Sequence, residues 1–179
     1  MSSRFRRFAT LAAIAVPLAA ASAQDGEQVA RFESWTVQVF DRESGKICLV
    51  ASQPIESEPP VGDGEGEVRR GQIAFVLSDR PTEGVRNEVW VQMGYPLASD
   101  VTVRVDDGEV FDLVTNPDDD APEEAWLPTA VEDRLLTSAM RAGLEMVVRG
   151  TSQRGTETID TYSLLGVTAA LNRSAEECQ

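Results

Sequence analysis

From Trp35 onward the chain alternates. Trp35, Val37 and Val39 interleave with Thr36, Gln38 and Phe40, the period of a strand with one face toward a core. Ser44-Gly45, within residues 42–46, supplies a turn into the apolar run Ile47-Cys48-Leu49-Val50-Ala51, which predicts a hairpin. Residues 53–69 hold three prolines, three glycines and five acidic residues. That composition cannot pair or pack as a strand interior and predicts a long surface loop. Further strands are expected over residues 72–77 and 88–93, separated by the turn-rich stretch 78–87. Val101, Val103 and Val105 alternate again, Asp106-Asp107-Gly108 turns the chain, and residues 110–114 return it.

At Asn116 the pattern changes to an acidic segment bracketed by Pro117 and Pro122. Thr129, three residues before Glu132, forms a capping box for a helix whose apolar positions are Val131, Leu135, Leu136, Ala139 and Met140, with Gly143 to end it. Residues 144–148 and 156–162 predict a last hairpin around Arg154-Gly155, and residues 163–172 predict a strand end passing into a short terminal helix. Many short strands with one or two helices predict a mainly β fold, an antiparallel two-sheet sandwich.

The amino terminus follows a different logic. Arg4, Arg6 and Arg7 precede an apolar run over residues 8–20, and Ala21-Ser22-Ala23 is a small-residue cleavage site. This is the pattern of a secretory signal over residues 1–23, cut between Ala23 and Gln24. The run is well short of the roughly 20 residues that span a bilayer, and no later segment is long and apolar enough to do so. The expected mature chain, residues 24–179, suffices for one domain burying roughly 68 to 70% of its unfolded surface. Its first residues, to about Arg31, are polar and expected to be loosely held.

Composition narrows the chemistry. The chain has 179 residues, 30 Asp plus Glu against 16 Lys plus Arg, no histidine, two cysteines and a net charge of -14. Without the leader's three arginines, 13 basic residues face 30 acidic ones, a charge of -17. The absence of histidine removes the Ser-His-Asp and Cys-His relays and imidazole metal ligation. The acidic balance argues against nucleic-acid or anionic-membrane surfaces, which need basic patches.

Other sites are weighed residue by residue. Cys48 and Cys178 suggest a disulfide in an oxidising compartment, closing a loop of about 130 residues for at most roughly 5 kcal/mol; the alternative is one buried thiol and one exposed tail thiol. Asp118 to Asp120 with Glu123 and Glu124 resemble calcium ligands only in composition. They lack the spacing that wraps a loop around the ion, so a hydrated loop is expected, as it is for residues 56–67. Paired carboxylates suffice for glycoside hydrolysis, but nothing selects a pair among 30 acids. No Gly-x-Ser-x-Gly or Ser-x-x-Lys occurs, and the one lysine, Lys46, sits in a turn. No catalytic, cofactor or metal residue is therefore assigned. Trp35 and Trp90 are expected in the core, with Trp126 covering one end of the sandwich; an exposed binding stripe is the alternative.

A set of short motifs now carries a resemblance. Trp35-Thr36-Val37, Cys48-Leu49-Val50 with Gln53, Met93-Gly94-Tyr95-Pro96-Leu97, Val105-Asp106-Asp107-Gly108 and the stretch from Tyr162 through Ser163-Leu164-Leu165-Gly166-Val167 to Leu171 resemble the invasion-associated locus B family. The similarity runs from about Trp35 to Leu171. It departs from the family pattern at Val39, where many members carry a cysteine, and between Phe111 and Trp126, where a second cysteine pair is missing. Cys48 matches a family cysteine and would pair with Cys178. The resemblance implies an exported, immunoglobulin-like sandwich of bacterial envelopes, linked in some members to host-cell attachment or entry, with no catalytic residue to carry over. The expectation is thus a periplasmic or secreted, non-enzymatic protein without a cofactor, acting on an unknown envelope or host-surface protein. A periplasmic ligand-binding module is the second choice and a carboxylate-pair hydrolase the third.

Overall fold

The computed structural model describes residues 26–58 and 70–179. The leader expected over residues 1–23 and its cleavage point lie outside them. Among the described residues eleven strands and two α-helices follow in order: β1 (Glu27–Phe32), β2 (Trp35–Arg42), β3 (Gly45–Ser52), β4 (Glu56–Ser57), β5 (Ala74–Arg80), β6 (Val85–Gln92), β7 (Val101–Val105), β8 (Val110–Thr115), β9 (Glu124–Trp126), α1 (Ala130–Ala142), β10 (Glu145–Thr151), β11 (Glu157–Ser163) and α2 (Val167–Glu177). All pairings are antiparallel and form one hydrogen-bonded sheet ordered β1-β2-β3-β5-β6-β9-β8-β7-β10-β11-β4. The protein is mainly β, as the alternation predicts.

The sandwich arises because this ribbon folds over at β9. That strand, three residues long, pairs Trp126 with Trp90 of β6 on one side and with Val114 of β8 on the other. Before it lies a leaf of β1, β2, β3, β5 and β6; after it lies a leaf of β8, β7, β10, β11 and β4. In the first leaf Val37, Val50, Leu77 and Val89 stand in one cross-strand row and all are buried. Val103, Val148 and Asp160 form the corresponding row of the second leaf. The leaves meet where Phe75 stacks edge-on against both Trp35, 6.4 Å away, and Tyr162, 5.8 Å away. Such offset aromatic pairs add about 0.5–1.5 kcal/mol beyond their buried area.

The helices close what the leaves leave open. Thr129 caps α1 by accepting from Glu132 N, and its hydroxyl donates to the Glu132 carboxylate at 2.6 Å, the capping box read from sequence. The buried face of α1 differs from the expected one: Leu136 and Met140 are buried, but so are Asp133 and Thr137, while Val131 and Leu135 are more than half exposed. Asp133 turns inward because its Oδ1 accepts the backbone N–H of Val89, 2.9 Å away, a donor that would otherwise be buried unpaired. α2 lies against β1, β2 and β3 and presents Val167, Ala170, Leu171 and Ser174 inward.

Three further expectations are corrected. Residues 27–32, expected to be loosely held, form β1, whose Ala30 and Phe32 pair opposite Val37 and Trp35 and, with Val29, pack partly buried against the core. Within the expected loop, Ile55 and Glu58 donate backbone hydrogen bonds to Thr161 and Ile159, so Glu56 and Ser57 add a short edge strand to β11. Trp90 is not in the core: Val89 and Val91 are fully buried, and alternation turns Trp90 to the opposite, outer face.

Candidate functional site

Three polar constellations stand out, and the sequence motifs lead to two of them. The first fixes the carboxyl terminus. Cys48 of β3 and Cys178, just past α2, form a disulfide with a Cα–Cα distance of 6.1 Å, and both are completely buried beside Val39. Asp79 of β5 accepts the Ser174 hydroxyl at 2.7 Å and Asn87 N at 2.9 Å, while the Arg86 guanidinium donates to Cys178 O. At the start of α2, Gly166 has φ 90°, and a Cβ there would come within 2.4 Å of Phe32 O. The Trp35 indole donates to Ser163 O at 2.9 Å. The Trp-x-Val opening and Ser-Leu-x-Gly close, 128 residues apart, thus touch.

The second constellation surrounds Asp160, on the inner face of β11. Arg70 grips both carboxylate oxygens at 2.7 Å, and Ser57 donates to one of them at 2.6 Å. The same guanidinium donates to Met93 O and lies 5.2 Å from the Tyr95 ring centre. The Tyr95 hydroxyl meets Thr158 Oγ1 at 2.6 Å. Here the Met93-Gly94-Tyr95 motif explains itself. Gly94 has φ 72°, and an added Cβ would sit 2.9 Å from the backbone of Gly71, whose N–H bonds to Gly94 O. Burial pushes the Tyr95 and Tyr162 phenols above their ordinary range, so both stay protonated. The cluster seals one side of the core.

The third constellation lies on the outer face of the first leaf. Gln28, Gln38, Gln53 and Gln72, with Thr36 and Arg31, line a groove enclosing about 470 Å³. Gln38 is half-buried and the other three glutamines are exposed. None of the four carboxamides makes a hydrogen bond to the described residues. By contrast, Gln92 donates to Glu123 and Gln153 to Asp120 O. Among the described residues no carboxylate lines the groove. One cross-strand row leads from it over Thr36, Ala51, Val76 and Trp90 to Trp126, the two indoles half-buried.

The acidic segment falls at the far end of that row. Asp119, Glu123 and Glu124 border a second hollow beside Trp126. Burial, reinforced by the neighbouring Glu123 and Asp119 charges, raises the Glu124 carboxyl above its usual range. Within the segment Asn116 and Asp119 side chains cap backbone N–H groups of Asp118 and Ala121, which makes an exposed turn. Among the described residues no group of three or more Cys, Asp or Glu is arranged to hold a metal, and no helix is long and apolar enough to cross a membrane.

Of the residues selected from sequence, Cys48 and Cys178 are brought together and Trp126 ends the outer row. Sequence reasoning missed Arg70–Asp160 and the groove. The two glycines and the tyrosine around the first were the available signal; the four carboxamides arrive from separate segments and gave none.

The structure defines a class: a mainly β, antiparallel folded-sheet protein whose terminal helix is covalently stapled to the sheet. Residues 35–175 match the invasion associated locus B (IalB) protein family, and the chain belongs to that family. No curated protein and no solved structure matches it. The family is not a known family of enzymes.

Proposed function

We propose that this chain is exported through a leader over residues 1–23, cut between Ala23 and Gln24, and that residues 24–179 work as one domain in the periplasm or outside the cell. Its action is contact rather than catalysis: it engages an envelope or host-surface component, with host-cell attachment or invasion as the physiological setting.

The observation that carries this reading is the Cys48–Cys178 bond, completely buried and surrounded by dedicated hydrogen bonds. Disulfides of this structural kind persist in oxidising compartments and are rare in the cytosol. The positive, apolar and small-residue regions of residues 1–23 support the same route. Membership of a family described as invasion associated supports the setting. The charge of -17 left without the leader, 13 basic against 30 acidic residues, favours partners that are not themselves strongly acidic.

Crosslinking in the intact envelope, followed by identification of the joined partner, tests this reading. A defined envelope or host-surface component joined through the outer face supports it. Turnover of a glycan or peptidoglycan substrate that is abolished by one Asp or Glu substitution would replace it with the carboxylate-pair enzyme.

A further inference from the structure

We propose that the outer face of the first leaf binds a hydroxyl-rich polysaccharide chain, seated among the four groove carboxamides and running along the row toward Trp90 and Trp126. This rests on the contact reading above and gives the contact its chemistry.

Three features converge on that ligand. A carboxamide offers two donors and a carbonyl acceptor, which matches sugar hydroxyls that both donate and accept. Gln28, Gln38, Gln53 and Gln72 have all that capacity free within the described residues. The charge is equally selective: in a protein with 30 acidic residues, the described residues that line the groove include no carboxylate and one cation, Arg31. It therefore suits neutral or sparsely anionic partners and repels neither. The volume of about 470 Å³ lies in the range of ligand sites.

The shape extends the match. Between the polar lip at Thr36 and the indoles, the row carries Ala51, half-buried, and Val76, buried among its neighbours, so the contacts fall at the two ends of the row. From β2 to β9 it crosses four strand spacings, about 19 Å, the length of a short oligosaccharide rather than of one sugar. Trp90 and Trp126 finish it with side chains that combine an apolar face and an N–H, as a sugar ring combines C–H faces with a hydroxyl rim. An extended peptide is the weaker fit. Peptides add to a free sheet edge through main-chain hydrogen bonds, whereas the backbone groups beneath this row are already paired within the sheet. Nucleic acid would need more than a single arginine.

The test is calorimetric titration of the purified full chain with three oligosaccharide series of increasing length: N-acetylhexosamine oligomers of cell-wall type, uncharged glucans, and uronic-acid oligomers. Tryptophan emission is followed in parallel. Saturable binding to one of the two uncharged series is expected, tightening with length and shifting the indole emission, and which of them binds distinguishes a wall-type source from a neutral matrix; binding of the fully anionic uronic-acid series alone overturns the proposal. Gln38→Ala and Gln72→Ala should each weaken binding about five-fold, the equivalent of one net hydrogen bond. Isosteric Gln38→Glu should weaken it further, and Gln153→Ala, away from the groove, should change nothing. No saturation with any series at millimolar concentration overturns the proposal. So does affinity unchanged in Gln38→Ala, Gln38→Glu and Gln72→Ala proteins that melt like the parent. Failure here leaves an exported, protein-contacting role intact, whereas a chain that is never exported defeats that role whatever the groove binds.

Discussion

The Asp160 cluster and the carboxamide groove are both polar, yet they spend their hydrogen bonds in opposite ways. Asp160 is completely buried, and Arg70 and Ser57 occupy its oxygens. In the groove, four carboxamides face outward with no partner within the described residues. A buried charge must be satisfied by the protein or it destabilises the fold; an exposed amide is satisfied by water and can exchange it for a ligand. Saturation therefore marks Asp160 as architecture, and free capacity marks the groove as the place for contact.

Substitutions can break this contrast, and the largest effect is expected at the buried pair. Asp160→Ala leaves the Arg70 guanidinium without its carboxylate and should cost about 3–5 kcal/mol in chemical denaturation. Replacing both partners with apolar residues of similar volume should recover most of that loss. A neutral outcome for Asp160→Ala alone would mean that the charge is not the reason for the cluster. Next comes the staple: Cys48→Ala with Cys178→Ala should lower stability by about 2–5 kcal/mol, read in the same denaturation experiment.

A smaller effect separates buried acids from exposed ones. Burial, opposed by the Val89 N–H bond and aided by Glu88 and Glu132, pushes the Asp133 carboxyl up to about 6 from 3.8. The folded state thus holds this proton more tightly than the unfolded state. Stability from this group rises as pH falls from about 7 toward 4 and is lost as pH climbs through 6. Asp133→Asn keeps the oxygen that accepts from Val89 and removes the titration. The difference in unfolding free energy between parent and variant should shrink on acidification, by on the order of 1 kcal/mol between pH 7 and 5; a constant difference would contradict it. The smallest effect belongs to the groove, where Gln38→Ala should change stability by less than about 0.5 kcal/mol. A large loss on thermal unfolding would make Gln38 structural and erase the contrast.

How much of this could be read from the chain alone depends on distance. β2, β3, β7 and the capped start of α1 announce themselves because alternation and the Thr129–Glu132 box are local signals. Trp90 was also legible in principle, since an indole between two buried valines must face the other way. β9 was not, because three residues after an acidic turn give no period to detect. The α1 face misleads because Asp133 is polar yet serves a buried N–H on β6, a need that exists only after the helix docks. Arg70 and Asp160 are 90 residues apart, and only the folded ribbon makes them neighbours. The groove is harder still, assembled from β1, β2 and the segments after β3 and before β5.

Export into an oxidising space is the claim on which the contact role stands. The most direct measurement is the intact mass of the protein purified from its producing cell with thiols alkylated and no reductant added. The account predicts a chain beginning at Gln24, without alkyl groups, and lighter by two hydrogens than its reduced form. A chain that retains residues 1–23, or one alkylated at both Cys48 and Cys178, would contradict it.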